Sequence, residues 1–179
     1  MLMGGQSVGV GHRIQENKAM NLQNYKYIVV CGKPQSGKDT VAEMLSFFLN
    51  RSYSSCSDVI YYDLAKTLGI EEWELRSIPK ENLRHLLVAH GDHMTEENPS
   101  ALVDGIILDL NSDILVGVRR VRELESLYED YGDVVSIWVN RPDAPKIDDN
   151  TTINQHACDV IIDNDGTIEQ LEQEVMELL

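Results

Sequence analysis

The sequence predicts a three-layer α/β fold with a mostly parallel five-stranded sheet. Short β-prone apolar runs recur along the chain, helix-patterned stretches separate them, and a glycine-bearing loop joins the first run to the first helix. Strands separated by crossover helices pair in parallel, because each helix returns the chain to the same end of the sheet.

Residues 1–24 are rich in Gly, Gln, Asn and Ser without strand or helix period, and are expected to form a flexible extension ahead of a single domain over 25–179. Tyr27 to Cys31 is a continuous apolar strand run, and Val41, Met44, Leu45 and Phe48 mark one face of the helix that follows. Val59 to Tyr62 predicts a second strand ending at Asp63, and the polar, helix-prone stretch of about 64–110 predicts a helical region. Asp113 to Val118 predicts a third strand leading into a helix over 121–131, Val134 to Val139 a fourth, and Val160 to Ile162 a fifth. The turn Asp163-Asn164-Asp165-Gly166 then precedes Thr167, the expected N-cap of a closing helix that buries Leu171, Val175 and Leu178.

At 179 residues, with 42% hydrophobic and 25% charged residues, the chain can bury one core. Its 15 basic against 30 acidic residues give a formal charge of -15, which repels polyanions and argues against nucleic acid or an anionic membrane as partner. Any phosphate must then be held by a local basic pocket. Cys31, Cys56 and Cys158 have neither disulfide-framework nor zinc spacing, so the cytoplasm is the expected compartment. No apolar run approaches the roughly 18 residues of a membrane span.

The loop Gly32-Lys33-Pro34-Gln35-Ser36-Gly37-Lys38-Asp39-Thr40 carries the chemistry. Glycines at its two ends let the backbone turn sharply and aim N–H groups at one point, while Lys38 opens a helix whose N-terminus is itself electropositive. This is the pattern of a P-loop gripping the phosphates of a nucleoside triphosphate. The residue after the lysine is usually Ser or Thr, which binds magnesium; here it is Asp39, with Thr40 next. A carboxylate beside phosphates is repulsive unless a divalent cation lies between, so Asp39 is either a metal neighbour or an acidic residue favoured at a helix start.

Gly32 to Thr40, followed by Val41-Ala42, resembles the phosphate loop of bacteriophage-type deoxynucleoside monophosphate kinases. Tyr62 to Lys66 resembles the segment after their second strand, Gly117-Val118-Arg119 with Glu123 their third-strand arginine and glutamate, and Asp159 to Leu171 their closing strand, turn and helix. Spanning about 26–178, the resemblance implies a nucleotide-kinase-like P-loop NTPase fold, ATP and Mg2+ as cofactors, and phosphoryl transfer to a nucleoside or deoxynucleoside monophosphate. It further implies an acceptor lying across the sheet's carboxyl edge beneath an arginine-bearing lid. Two positions depart from the pattern: Gly117 stands where family members commonly have aspartate, and Asp92 to Glu97 stands where an arginine is expected after Gly91. A nucleotide-binding protein with lost activity, and a dephospho-coenzyme A or other small-molecule kinase, therefore remain open alternatives.

Among other residues, Arg119, Arg120 and Arg122 form the densest basic cluster, just past a strand's carboxyl end. Arg119 is the candidate for acceptor phosphate, although Arg119 with Glu123 and Arg122 with Glu125 also have helix-pair spacing. Asp63 is a candidate base or acceptor ligand, with a plain turn carboxylate the alternative. Lys66 and Arg84 are further candidates for acceptor phosphate. Arg141 opens a polar loop of about 141–156 expected to act as the nucleotide-binding lid, with Lys146 as a second cation. His90 and His93 are read as surface histidines, and Trp73 and Trp138 as core or groove aromatics. A homodimer is left open.

Overall fold

In the computed structural model, which describes residues 20–145 and 152–179, five parallel strands form one sheet. They are β1 (Tyr27–Gly32), β2 (Tyr53–Ser55), β3 (Ile114–Val116), β4 (Val134–Asn140) and β5 (Val160–Asp163), in spatial order β2-β3-β1-β4-β5. The helices are α1 (Lys38–Leu49), α2 (Cys56–Leu68), α3 (Glu72–Arg76), α4 (Lys80–Glu97), α5 (Ala101–Asp104), α6 (Val121–Asp130) and α7 (Ile168–Met176), with a π-helical turn, Gly105–Asp109, after α5. The fold is thus the three-layer α/β class that the alternating pattern predicts.

β1 is central and buried on both faces, which is why its sequence is an unbroken apolar run. Ile28 and Val30 point to the layer made by Val41, Ala42 and Leu45 of α1 and Leu171 and Val175 of α7. Val29 and Cys31 point the other way, onto Cys56 and Val59 of α2, Leu102 and Val103 of α5, and Leu124 and Leu127 of α6. Fully burying each such leucine contributes about 1.5–3 kcal/mol. A third cluster, Tyr61, Leu64, Ala65, Leu75, Leu83 and Leu87, joins α2 to α3 and α4 away from the sheet.

The second strand is not Val59 to Tyr62. Those residues lie inside α2, and β2 is the preceding Tyr53–Ser55. Helix wins because Ser55 is an N-cap: its hydroxyl accepts the Asp58 N–H at 3.2 Å, while its own N–H donates to the Asp58 carboxylate at 2.8 Å. The helical period was hidden because α2 is apolar on two sides, Cys56 and Val59 toward the sheet and Tyr61, Leu64 and Ala65 toward α3 and α4. β2, at the sheet edge, carries two serines and no apolar run. The helical middle does hold, as α2 to α5.

The folded unit also begins before residue 25. Leu22 is fully buried in a short 3-10 turn, and its N–H donates to the Leu178 carbonyl at 2.8 Å. The expected flexible extension otherwise falls on residues 1–19, outside those described. No helix among the described residues is long and apolar enough to cross a membrane.

α7 seals one face of the sheet and starts where expected, with the Thr167 hydroxyl accepting the Gln170 N–H and the Gln170 side chain returning to the Thr167 N–H at 2.7 Å. Thr167→Ala is expected to lower unfolding stability by about 1 kcal/mol in urea titration, with the m-value unchanged.

Candidate functional site

Parallel pairing puts every strand's carboxyl end on one edge. Val30 is in register with Val116, Gly32 with Val139, and Asn140 with Asp163, so the loop after β1 lies between the turn after β3 and the segments after β4 and β5. Chain distance is thereby erased. Positions near 35, 119, 141 and 164 are brought to one edge of the sheet, the carboxyl edge.

The loop is tightly constrained. Ser36 N–H donates to the Lys33 carbonyl at 3.1 Å, closing a turn that carries Gln35 through a left-handed φ of 62°. Gly37 follows at φ 92°, a region open chiefly to glycine, and caps α1 without any side-chain bond. The N–H groups of the first turn of α1, Lys38 to Thr40, therefore have no capping side chain to receive them. A Cβ on Gly32 would collide with the Ser36 hydroxyl, so that position also demands glycine, for closeness of approach.

Ser36 is 1% exposed, and its hydroxyl has no hydrogen-bond partner among the described residues. Leaving a buried hydroxyl unpaired costs about 1–3 kcal/mol, so the loop carries unspent polar capacity. Lys38 is largely buried, and its ammonium lies 3.1 Å from the carboxylate of the exposed Asp39. Sulfate- or phosphate-like oxygens fit this arrangement of open N–H groups, a spare hydroxyl and an ammonium. Asp39 is exposed, and among the described residues no three His, Cys, Asp or Glu side chains cluster as a cation site.

One support of the loop lay unread in the sequence. Asn164, in the turn after β5, donates from its side-chain amide to the Ser36 carbonyl at 2.8 Å, and its own N–H donates to the Asn140 carbonyl at 2.7 Å. The Asp-Asn-Asp-Gly string signals a turn, and only the sheet order reveals that this turn abuts the loop.

The arginine cluster divides its work. Arg120 donates to the Thr95 hydroxyl and to the Asp92 carboxylate, and Arg122 donates to the Thr95 carbonyl at 3.2 Å, so both tie α6 to α4. Arg119 is exposed, and its guanidinium has no ion-pair partner among the described residues. Glu123 does not form the side-chain pair with Arg119 that the spacing left open as the alternative. Its buried carboxylate instead accepts the Arg119 and Arg120 backbone N–H groups at 3.1 and 3.2 Å, fixing the turn from which Arg119 projects.

Asp63 does not end a strand at this edge. It lies on α2, seven residues beyond Cys56 and so about 10 Å along the helix, with its carboxylate 2.7 Å from His90 Nε2 of α4. His90 is accordingly a partnered, mostly buried histidine, whereas His93 is exposed. Arg141 is exposed just past β4 on the carboxyl edge, while Lys146 and the middle of the expected lid, residues 146–151, lie outside the described residues. On the far side of that segment Ile153 is buried, and its N–H donates to the Arg119 carbonyl at 2.8 Å. Gly117 has φ 82°, and a Cβ there would meet nothing within 4 Å. The site has room for a side chain there, but the backbone conformation favours glycine.

No family model matches the chain, and no curated protein matches it. Among solved structures, one described as a "putative kinase" from Chloroflexus aurantiacus J-10-fl aligns with 18% identity and a TM-score of 0.37, over 66% of this chain and 61% of that one. The chain thus spans about three-fifths of that neighbour's length. The fold class rests on the sheet order and helix layers themselves.

Arg120→Ala removes two bonds to α4 and leaves the Asp92 carboxylate without its arginine, while the Thr95 hydroxyl keeps its bonds to the Gly91 and Asp92 carbonyls. It is expected to cost about 1–3 kcal/mol in denaturant unfolding. At the foot of α2, burial by itself would raise the Asp58 carboxyl, but bonds from the Ser55 N–H and hydroxyl and from Arg76 outweigh it and hold the group below its ordinary 3.8. A pKa depressed by folding stabilises the native state above the unfolded value, and that stability is lost as pH falls through the folded value. Asp58→Asn should therefore destabilise at pH 7, and the gap to the parent should shrink as thermal melts are taken below about pH 4.

Proposed function

We propose that this chain is an ATP-dependent phosphotransferase whose acceptor is a nucleoside or deoxynucleoside monophosphate. The observation that carries the reading is the Gly32–Thr40 loop. A left-handed Gly37, an uncapped helix start, the unpartnered Ser36 hydroxyl and the Lys38 ammonium converge at the centre of the sheet's carboxyl edge. These groups supply positive potential that falls on β- and γ-phosphate oxygens, the stabilisation phosphoryl transfer needs most. Magnesium, when bound with the triphosphate, would neutralise charge on the phosphates, and in this reading Asp39 and Thr40 are the residues that would hold it or its waters. Arg119 is the acceptor-phosphate cation in this reading, because Arg120 and Arg122 are engaged with α4 and it is not. Arg141 is assigned to the nucleotide side, and Asp63 of α2, paired with His90 of α4, to holding the acceptor-side helices.

A second reading, nucleotide binding without transfer, is favoured by Gly117. The family resemblance puts an acidic group at that position, and the chain has instead a glycine with φ 82°. The two readings separate in one experiment: purified protein with ATP and magnesium, assayed by coupled detection of ADP against a panel of nucleoside monophosphates and dephospho-coenzyme A. Turnover with a monophosphate supports transfer, and ATP binding with no turnover on any acceptor supports the binding-only reading. Lys38→Met is expected to lower kcat by about 100-fold or more while circular dichroism stays unchanged. A variant with full kcat would remove the loop from the mechanism.

A further inference from the structure

Lys38 and Asp39 are adjacent in the chain, yet their surroundings differ: the lysine side chain is 18% exposed and the aspartate 73%. Asp39 is the second residue of α1, where a carboxylate ordinarily answers the free N–H groups and the positive end of the helix. It does not do so here. Its one hydrogen bond among the described residues is accepted from Lys38 Nζ at 3.1 Å, and the helix start stays uncapped. The loop's ammonium is thus already paired with an anion of the chain itself, while the Ser36 hydroxyl beside it in the loop has no partner among the described residues. We propose that Asp39 is a built-in competitor for Lys38, which makes the loop select a magnesium-bound nucleotide over a bare phosphate chain. The proposal rests on the reading of Gly32–Thr40 as a phosphate loop.

The selection follows from charge. A metal-free di- or triphosphate must displace the Asp39 carboxylate to reach Lys38, and its own negative charge then lies beside the carboxylate it has freed. With magnesium on the phosphates part of that charge is offset, and the freed carboxylate has a cation, or the water around it, to face. One exposed carboxylate suffices for this, because magnesium keeps several waters and is usually held by one or two carboxylates together with substrate phosphates. A serine or threonine in the same position gives the metal a hydroxyl and leaves the lysine unpaired whether or not metal is present. The aspartate therefore weakens binding chiefly when the metal is absent.

The test titrates ADP into the full chain by calorimetry, once with EDTA and once with excess magnesium chloride, at one ionic strength because salt screens exposed charges. The quantity read is the ratio of the metal-free Kd to the magnesium Kd. Parent, Asp39→Asn, Asp39→Ser and Glu43→Gln are compared. Glu43 is exposed one turn further along α1, so its variant removes the same charge without touching the Lys38 pair. The parent is expected to bind ADP more tightly with magnesium. Both Asp39 variants should bind metal-free ADP about five- to tenfold more tightly than the parent, the size expected when one exposed counter-charge leaves the site of a multiply charged ligand. With magnesium their binding should tighten less or weaken, so the ratio falls, and Glu43→Gln should leave it where it is. A parent indifferent to magnesium, or Asp39 variants whose ratio stays or rises, would overturn the proposal while ADP binding keeps the phosphate-loop reading standing. An equal fall in Glu43→Gln would overturn it too, tracing the effect to net charge alone. ADP bound by none of the four proteins in either condition would remove the loop reading and the proposal together.

Discussion

β1 is hydrogen-bonded in parallel on both sides, to β3 through Ile28, Val29 and Val30 and to β4 from Tyr27 to Gly32, and the rest of the molecule is arranged around that constraint. A strand paired on both edges cannot bend or slip without breaking two ladders, so the residue leaving it has a defined position and direction. The loop Gly32–Gly37 inherits that definition. It emerges at the middle of the carboxyl edge, and the turns after the neighbouring strands arrive beside it for the same topological reason.

Two clamps then hold the edge from opposite sides. Asn164 grips the Ser36 carbonyl from the β5 side, while Glu123 and Arg120 fix the turn after β3 and bind it to α4. Both use buried or half-buried hydrogen bonds at the boundary of the apolar core, where water competes least. The polar groups left over are the informative ones: the Ser36 hydroxyl without a partner, the first turn of α1 without a cap, and Arg119 turned outward. In a chain of formal charge -15, Lys38 is paired with Asp39 and Arg120 with Asp92, while Arg119 and Arg141 are exposed past β3 and β4.

Much of this was legible in the residues. Strands buried on both faces announce themselves as continuous Val and Ile runs, and so β1, β3 and β4 were found; the glycine-lysine loop and the Thr167 cap are local chemistry with local signatures. α2 was misread for a complementary reason. Val59 to Tyr62 satisfies strand propensity, and a helix buried on two sides loses the one-sided period that would have betrayed it. Asp63 fell with it, from a strand end to a helix where it faces His90. The i,i+4 spacing of Arg119 and Glu123 leaves a side-chain pair open as an alternative, whereas a glutamate in the first turn can turn back to cap the backbone, as Glu123 does.

The sequence by itself determined the α/β class, the glycine-lysine loop between strand and helix and the arginine-rich turn, because each depends on residues close together in the chain: an apolar run, two glycines and a lysine, three arginines past a strand. Only the tertiary structure decided that Arg120 and Arg122 bind α4, that Asn164 supports Ser36, and that Asp63 faces His90. Those are contacts between segments distant in the chain. Their existence depends on the strand order, which no local pattern of residues encodes.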